Sequence, residues 1–290
     1  MLHNPTAGDE KHSEESLRAL VERAGHEVRF RSVKEPDWER ALDDGLDLVV
    51  AAGGDGTVRK VFRLLAGTQI PVTILPLGTA NNIARSLGLK DDHPERFVPG
   101  WNGGETRSYD IAALSSDHAE APFVESAGAG LFADVIVRAD RDRTEYADKV
   151  EKGLRMLHAS LAEGRLLACT VELDGDAISE DLIALELLNV SYAGPGIPLA
   201  PAADPGDGAL DVALIRPDDA GPLIAYIEER LAGSSPRAPD YEVRRATEVV
   251  LRLPEGTPVH TDDEVVVHDR TSPVTARPAA RVQVLLPGAN

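Results

Sequence analysis

The sequence predicts an α/β domain followed by a mostly antiparallel β-sandwich domain, with the boundary at residue 108. Before this boundary, apolar strand-like runs alternate with segments of helical periodicity, which is the pattern of a parallel sheet wound with helices. After it, short strand-like runs are separated by Gly, Pro and Asp turns, as in a sandwich. A chain of 290 residues is long enough for two domains, each with a core. We therefore divide the chain into residues 1–108 and 109–290.

The first domain is predicted to begin with a short strand and a helix. Only Met-Leu-His precedes the turn NPTAG (4–8), so the first strand is short. Ser13 is a candidate N-cap, and the helix after it is predicted to stop at Gly25. HEVRFRSV (26–33) alternates with period two and predicts a strand, whereas residues 36–42 predict a short helix.

Two buried strands are predicted next, and each ends in a glycine-containing turn. DLVVAA (47–52) and IPVTILPL (70–77) are continuous apolar runs, as expected for strands that are covered on both faces of a parallel sheet. GGDGT (53–57) follows the first run, and a helix is predicted to start at Thr57 or Val58. The order strand, helix, strand predicts a doubly wound domain.

The second domain is predicted to consist mostly of strands. The strand-like runs are FVESAGAG, LLACTVELDG, LIALELLNVSY, GALDVALIR, EVVLRLPEG, VVVHD and RVQVLLP. One helix is predicted around residues 144–163, with its apolar side chains on one face. Those side chains are Tyr146, Val150, Leu154, Leu157 and Leu161. Cys169 lies in the second run, and we expect it to be a small buried side chain.

Composition and charge exclude several classes of partner and location. The net charge is −19, and residues 109–290 carry 32 acidic against 16 basic residues. Nucleic acid is therefore not an expected partner, because its phosphates require a basic face. No run approaches the ~18 apolar residues of a membrane span, and the N-terminus has no signal-peptide core. Since a single cysteine excludes an internal disulfide, a cytoplasmic location is expected.

The glycine turns are candidate phosphate-binding loops. Glycines let the backbone approach an anion, and N–H groups at a helix N-terminus point towards it. Asp55 would repel a phosphate, but a bridging Mg²⁺ removes the conflict. A second such loop lies in ILPLGTANNIARSLG (74–88). Ligands bind at the carboxyl ends of parallel strands, so two such loops favour a nucleotide site. The alternative is that both are tight turns without a ligand, with Asp55 as a helix cap in the first.

Three motifs together resemble the catalytic-domain signature of the diacylglycerol kinase family: NPTAG (4–8), GGDGT (53–57) and PLGTANNIA (76–84). This family includes bacterial diacylglycerol and lipid kinases and the sphingosine and ceramide kinases, and it shares a superfamily with the NAD kinases. The resemblance continues through SYDIA (108–112), ESAGAGLFADV, PAADPGDGALDVALI and HTDDE. It implies a NAD kinase/diacylglycerol kinase-like fold, in which a Rossmann-like nucleotide-binding domain precedes a mostly antiparallel β-sandwich domain.

The resemblance implies ATP and Mg²⁺ as cofactors. The residues that it places at the nucleotide are Asn4, Gly8, Gly53, Gly54, Gly56, Thr57, Gly78, Thr79 and Asn81. It assigns Asp55 and Asp110 to the catalytic Mg²⁺, directly or through water. Asn82 departs from the family, because many relatives carry Asp there, and this leaves the details of the metal site open.

The resemblance also implies a general base late in the chain. Family members carry an Asp-Gly-Glu motif after a late strand, and TDDE (261–264) aligns with it. Asp262 is therefore the expected base for the acceptor hydroxyl, with Asp55 as a further catalytic residue and Glu264 in support. Asp263 replaces the glycine and adds a charge beside the base. From the residues alone, a solvated β-turn is the alternative.

A second metal site is expected in the turn ADPGDGALD. Asp204 and Asp207 offer hard oxygen ligands three residues apart. The resemblance adds the carbonyl of Ala209 and implies a structural Mg²⁺, while a plain acidic turn remains the alternative. His260 and His268 flank TDDE, and we expect them to be surface or strand residues rather than metal ligands.

GAGLFA (128–133) formally fits the dinucleotide fingerprint G-x-G-x-x-A. A true fingerprint lies in a βαβ unit with an acidic residue about twenty residues on, at the end of the next strand. The sequence around residue 148 predicts helix rather than strand. We therefore reject a dinucleotide site here.

Together these features predict an ATP-dependent lipid kinase acting on the hydroxyl of a lipid alcohol, with diacylglycerol as the first candidate. A NAD kinase is one alternative, because it shares GGDGT. A lipid- or nucleotide-binding pseudo-kinase is another, because of Asn82, Asp263 and the pair Arg59-Lys60 where relatives often have Asn-Glu. The expected partners are the lipid substrate and, transiently, a membrane surface. The oligomeric state is open, and a homodimer is one option.

Overall fold

The computed structural model describes residues 1–7, 12–42, 45–90, 93–116, 119–142, 148–268 and 273–288, without the side chains of 266–268. It divides into two compact units. Unit 1 comprises Met1–Ile111 with Ala280–Asn290, and unit 2 comprises Ala112–Ala279. The first boundary lies close to the expected residue 108. The last eleven residues, expected in the second domain, belong to unit 1.

Unit 1 is built on a parallel sheet. Its helices and strands are β1 (Leu2–His3), α1 (Glu14–Arg23), β2 (Arg31–Ser32), β3 (Val49–Gly53), α2 (Asp55–Leu65), β4 (Pro71–Pro76) and α3 (Asn82–Ser86). Short 3₁₀ helices lie at Trp38–Leu42, Pro94–Arg96 and Val98–Gly103. The strand order is β2-β1-β3-β4, and these neighbours run parallel. This is the wound α/β arrangement that the alternating pattern predicts.

The chain leaves unit 1 along β5 (Glu105–Ser115) and returns to it along a long final strand, numbered β18 (Val274–Leu286). Gln283 and Val284 of β18 pair in parallel with β4 and so extend the sheet of unit 1. The last strand therefore contributes to the sheet that carries the candidate loops.

Two expectations about unit 1 need correction. The strand predicted over HEVRFRSV comprises only Arg31–Ser32. Its partner β1 is two residues long, so it can pair with only two residues of β2. The helix expected to start at Thr57 or Val58 begins at Asp55. The N-cap at Ser13 is confirmed.

Unit 2 contains the following helices and strands: β6 (Glu120–Phe123), β7 (Ser126–Gly130), α4 (Leu131–Arg141), α5 (Lys149–Ala162), β8 (Leu167–Leu173), β9 (Asp176–Leu182), β10 (Ala184–Leu188), β11 (Tyr192–Ala193), β12 (Ile197–Pro198), β13 (Leu210–Ile215), α6 (Ala220–Leu231), β14 (Glu242–Ala246), β15 (Val249–Arg252), β16 (Thr257–Thr261) and β17 (Glu264–His268). One antiparallel sheet has the order β14-β13-β10-β7-β16-β17. A second antiparallel group has the order β18-β15-β8-β9. The end of β5 pairs with β6, and β11 pairs with β12.

The core of unit 2 has two layers. One cluster joins buried side chains of both strand groups, among them Leu185 and Leu187 from one and Cys169 and Val171 from the other. The other cluster joins the six-stranded sheet to α4, α5 and α6. Cys169 is a buried strand residue, as predicted. The antiparallel sandwich expected from the turn-rich sequence is confirmed.

Two helices, α4 and α6, are not predicted by the sequence pattern. Helix α4 starts directly after Gly130, where β7 ends, so no loop signal separates strand from helix. Helix α6 carries Gly221 and Pro222 near its start, which resemble a loop in sequence, although proline is tolerated in a first helical turn. The helix predicted over 144–163 is α5, and Tyr146 lies outside the described residues.

Candidate active site

The loop that starts at Asn4, from the motif NPTAG, follows β1 at the carboxyl edge of the parallel sheet in unit 1. The backbone N–H of Asn4 donates to the Ala52 carbonyl at 2.9 Å, which ties this loop to the end of β3. The Asn4 Oδ1 accepts from the N–H and the hydroxyl of Thr6, at 3.2 and 3.0 Å. The Asn4 side chain thus braces its own loop. Gly8, which was expected beside it, lies outside the described residues.

The two glycine loops touch each other. A Cβ on Gly78 would lie 2.4 Å from the Cα of Gly54, which is closer than carbon atoms approach without a bond. A Cβ on Gly53 would meet the Thr57 Oγ1 at 2.4 Å. The fold therefore has no room for a side chain at Gly53 or Gly78. The structure brings GGDGT and PLGTANNIA into direct contact.

Gly56 differs from its neighbours, because packing does not require a glycine there. It is the second residue of α2 and is exposed. A Cβ at this position would meet only the end of the Arg59 side chain, at 3.6 Å. Thr57 is buried, and its N–H donates to the Gly54 carbonyl at 2.9 Å, while Thr79 in the second loop is exposed. Gly56 and Thr79 are thus the exposed members of this cluster.

Asn81 holds the second loop in shape. Its backbone is left-handed, with φ of 50°, a conformation that asparagine tolerates better than most residues. Its Oδ1 accepts from the Gly78 N–H at 3.0 Å, and its Nδ2 donates to the Gly78 carbonyl at 2.8 Å. The side-chain amide is therefore engaged by its own loop.

The Asp55 carboxylate joins the two loops a second time. Its Oδ1 accepts from the backbone N–H of Ile83 at 3.1 Å. Burial raises the pKa of Asp55, while hydrogen bonds from the amides of Ile83 and Asn82 and the charge of Arg59 oppose the rise. As the first residue of α2, this carboxylate is also favoured by the helix dipole.

Asp110 is buried in β5 and paired with an arginine. It is 1% exposed, and the Arg281 Nε lies 2.6 Å from its Oδ1. The adjacent Tyr109 packs edge-to-face on Phe62 of α2, with ring centroids 5.0 Å apart. In the part of the chain that the structure describes, no three His, Cys, Asp or Glu residues are grouped as metal ligands would be.

Asp262, the expected base, is buried at the end of β16 in unit 2. It is 7% exposed and has a left-handed backbone, with φ of 54°. Its Oδ1 accepts from the backbone N–H groups of Glu125 at 2.8 Å and Val124 at 3.1 Å, and its Oδ2 accepts from Val124 at 3.1 Å. The solvated-turn interpretation is therefore wrong for Asp262. It holds for Asp263 and Glu264, which are exposed.

The negative charge of the acidic turn in unit 2 (Asp204 and Asp207) is partly balanced by an arginine. Asp204 and Asp207 each accept a backbone hydrogen bond at 3.0 Å, in the second case from Ala209. Arg245 forms an ion pair with Asp207. Burial raises the pKa of the neighbouring Asp211, and the charges of Asp207 and Asp204 raise it further. The turn thus concentrates negative charge around one guanidinium.

Unit 2 also contains a cavity of about 380 Å³ that the sequence did not reveal. Its apolar walls include Leu131, Leu161, Leu166, Leu167, Ile183 and Pro258. Its polar lining includes Asp134 and Ser160, and the buried Ser160 Oγ has no hydrogen-bond partner within the described residues. Burial raises the pKa of Asp134. Apolar pockets are assembled from distant segments, so no local sequence pattern marks them.

No helix that the structure describes is both long enough and apolar enough to cross a bilayer. His260 is a buried strand residue, as expected, whereas the side chain of His268 lies outside the described part of the structure.

Two family models match the chain. The model for the diacylglycerol kinase catalytic domain matches residues 1–114, and that for the YegS C-terminal NAD kinase beta sandwich-like domain matches residues 126–286. A diacylglycerol kinase of Mycobacterium tuberculosis is 32% identical over 253 residues, which cover 85% of this chain and 79% of that protein. A "Probable lipid kinase YegS-like" of Pseudomonas fluorescens is 31% identical over 290 residues, covering 94% and 91% of the two chains.

A solved structure shares the fold. The crystal structure of a diacylglycerol kinase from Bacillus anthracis superposes with a TM-score of 0.70 at 19% identity, over 98% of this chain and 95% of that one. The two chains thus share the fold of a wound α/β unit followed by an antiparallel sandwich. The chain belongs to the diacylglycerol kinase catalytic-domain family, with a YegS-type C-terminal domain.

Proposed function

We propose that this protein transfers the γ-phosphoryl group of ATP to the hydroxyl of a lipid alcohol, with diacylglycerol as the first substrate to test. The observation that carries the proposal is the contact between Gly54 and Gly78 beside the start of α2, in a chain of this family. Two glycine-containing loops in contact, next to a helix N-terminus, expose backbone that suits phosphate oxygens.

The nucleotide is proposed to bind at this surface. Gly54 and Gly78 keep the two loops in contact, Asn4 and Asn81 brace the loops, and the exposed Gly56 and Thr79 face the phosphates. The proposed set also includes Gly8, Gly53 and Thr57. Gly56 is the most informative member, because the fold has space for a side chain there. A bare backbone at this point serves close approach by an anion.

The donor set fits Mg²⁺ in part. Mg²⁺ is commonly held by one or two carboxylates together with substrate phosphates, so a cage of three carboxylates is not needed. Asp55, at the contact of the two loops, would hold the ion. The bound cation would neutralise negative charge on the transferring phosphoryl group. Asp110 would join it only by giving up part of its contact with Arg281.

Asp262 is proposed to accept the proton of the lipid hydroxyl. A carboxylate offers about four acceptor positions, and the backbone amides of Val124 and Glu125 approach mainly the Oδ1 side. We assign the proton to Oδ2. Glu264, exposed two residues later, is proposed to support the site. The base holds the hydroxyl proton as the new oxygen–phosphorus bond forms.

The cavity of unit 2 is proposed to take an acyl chain. Its leucine-rich walls are apolar, while Asp134 and the orphaned Ser160 hydroxyl suit the polar end of an amphiphile. The register of β7 and β16 places Gly130 and Pro258, at the cavity, about four residues or 13 Å from Asp262 along the strands. We expect the lipid to be reached from the cytoplasm by transient contact with a membrane surface.

A labelling experiment tests the proposal. The protein is incubated with γ-labelled ATP and Mg²⁺, with diacylglycerol, sphingosine or NAD as acceptor in separate reactions. Label in an organic-soluble product supports a lipid kinase, and the acceptor identifies the lipid. Label only in NADP would support the NAD kinase alternative. ATP binding without any labelled product would support a pseudo-kinase, the alternative suggested by Asn82, Asp263 and the pair Arg59-Lys60.

A further inference from the structure

A buried acid–imidazole pair crosses the six-stranded sheet of unit 2. Glu186 in β10 is fully buried, and His260 in β16 is 2% exposed. The His260 Nε2 lies 3.0 Å from both carboxylate oxygens of Glu186. These two strands are not neighbours, because β7 runs between them. The side chains therefore meet over the intervening strand.

Gly128 makes this crossing possible. The register pairs Gly128 with Glu186 on one side and with His260 on the other. A Cβ on Gly128 would lie 2.3 Å from the backbone carbonyl oxygen of Leu185 and 2.5 Å from the Glu186 Oε1. This glycine, which formally fits a dinucleotide fingerprint, is thus required by local packing, since a side chain there would clash with the backbone of β10 and displace the Glu186 carboxylate.

The hydrogen-bond partner of the His260 Nδ1 shows that this nitrogen carries a proton. The His260 Nδ1 lies 3.0 Å from the backbone carbonyl of Asp262, which can only accept, so Nδ1 carries a hydrogen and donates it. Glu186 and Nε2 then share one further proton. Burial is the largest single influence and lowers the pKa of His260, but the charge and hydrogen bond of Glu186, together with the carbonyl and charge of Asp262, outweigh it, so the pKa is raised. Burial raises the pKa of Glu186, which His260 and a hydrogen bond from Ser126 oppose.

The imidazole thereby acts on the residue proposed as the base. Asp262 is held in a left-handed conformation that few side-chain-bearing residues adopt. Its carboxylate is fixed by the amides of Val124 and Glu125, and its carbonyl is fixed by His260. Both ends of the residue are thus anchored, which fixes the direction of the carboxylate.

We propose that Glu186 and His260 form a positioning pair that holds Asp262 in the orientation needed for phosphoryl transfer, the hydrogen bond from His260 Nδ1 to the Asp262 carbonyl being the essential contact. This rests on the proposed function. Neither side chain touches the reacting atoms. The pair acts through the backbone of Asp262, and Glu186 serves to orient the ring.

Two conservative substitutions separate the two contacts. In Glu186→Gln the imidazole becomes neutral, its Nε2 accepts from the new amide, and Nδ1 still donates to Asp262. In His260→Gln the side-chain amide can still reach Glu186, but the donor to the Asp262 carbonyl is lost. We expect His260→Gln to lower kcat by about ten-fold or more. We expect Glu186→Gln to stay within about three-fold of the unchanged protein, and both variants to bind MgATP normally, because the proposed nucleotide site lies in unit 1.

The measurements are kcat with the lipid acceptor, the MgATP Kd by calorimetry, and Tm to choose an assay temperature at which both variants are folded. Equal kcat for His260→Gln and the unchanged protein would overturn the proposal, and so would an equal loss in both variants. Asp262→Asn separates this from the proposed function. If the unchanged protein has no kinase activity, or Asp262→Asn retains it, the proposed function or the base has failed instead.

A spectroscopic measurement tests the contact even if His260→Gln does not fold. The ring nitrogens of the ¹⁵N-labelled, unchanged protein are assigned to His260 by their absence from the spectrum of His260→Asn, or by contacts to Gly128 and Asp262. A protonated Nδ1 at pH 7 is the expected result. A bare Nδ1 would overturn the proposal, because it could not donate to the Asp262 carbonyl.

Discussion

Gly54 and Gly78 lie against each other so closely that a Cβ on Gly78 would be 2.4 Å from the Cα of Gly54. We therefore expect Gly78→Ala to push the loops apart. Overpacking of this kind costs about 1–3 kcal/mol of unfolding free energy. If the loops bind the triphosphate together, the Kd for MgATP should rise by about ten-fold or more, which is about 1.4 kcal/mol. Calorimetry and urea unfolding measure the two effects.

Gly103→Ala is the control for this substitution. Gly103 also lies in unit 1, and no atom would come within 4 Å of an added Cβ. We expect unchanged MgATP affinity and no loss of unfolding free energy. Normal affinity in Gly78→Ala would show that the contact between the loops does not matter for the nucleotide.

Asp262→Asn is expected to remove turnover and to leave nucleotide affinity unchanged. A positioned base contributes about 10²- to 10⁴-fold to rate, so kcat should fall by that factor. Asp174→Asn is a matched control, because Asp174 is also left-handed and its carboxylate also accepts from backbone N–H groups, those of Thr247 and Glu248. Asp174 is exposed and has no proposed catalytic role. Equal kcat in the two variants would contradict the base assignment.

The buried pair predicts a pH dependence of stability. The charged groups that act on His260 are Glu186 and Asp262, and together they raise the pKa of His260 in spite of burial. A raised folded-state pKa contributes stability that is fully present below the ordinary value, about 6.5, and is lost as pH rises through the folded value. Glu186→Gln removes the main charge that raises it.

We therefore expect the unfolding free energy of the unchanged protein to exceed that of Glu186→Gln most clearly between about pH 5 and 6.5. The difference should shrink as pH rises further. Urea unfolding at several pH values measures it. A difference that grows with increasing pH would contradict the assigned direction.

The acidic turn gives a separate metal test. Arg245 already pairs with Asp207, so a cation at Asp204, Asp207 and the Ala209 carbonyl must compete with it. If this turn holds Mg²⁺, adding Mg²⁺ should raise the Tm of the protein. In Arg245→Gln the Mg²⁺ concentration needed for this rise should be lower, by a factor of up to about five, because an exposed ion pair competes only weakly. Asp207→Asn should abolish the effect. If Mg²⁺ does not change Tm in the absence of nucleotide, the segment is a plain acidic turn that binds no structural Mg²⁺.

The fold was largely predictable because its signals are local. Continuous apolar runs marked β3 and β4, and turn residues marked the strands of the sandwich. The strand β2 was predicted too long because its length depends on β1, a distant partner. Helix α4 was missed because it starts at the residue after β7, without a capping side chain.

The candidate site was predictable only in part. The glycine loops carry their own sequence signal, and the structure brings them into contact. The burial of Asp262 could not be predicted, because it depends on the amides of Val124 and Glu125, 138 and 137 residues earlier. The same holds for the meeting of Glu186 and His260 over Gly128, which requires the strand order. Such features arise from topology rather than from local pattern.

The central claim is that a triphosphate lies against the bare backbone at the start of α2, and Gly56 tests it most directly. Gly56 and Gly221 are each the second residue of a helix, and the fold has room for a side chain at both. Calorimetry with MgATP should therefore find that Gly56→Val weakens binding by at least about ten-fold, or 1.4 kcal/mol, while Gly221→Val binds normally. If both variants fold and bind MgATP as the unchanged protein does, the triphosphate does not lie there and the account is contradicted.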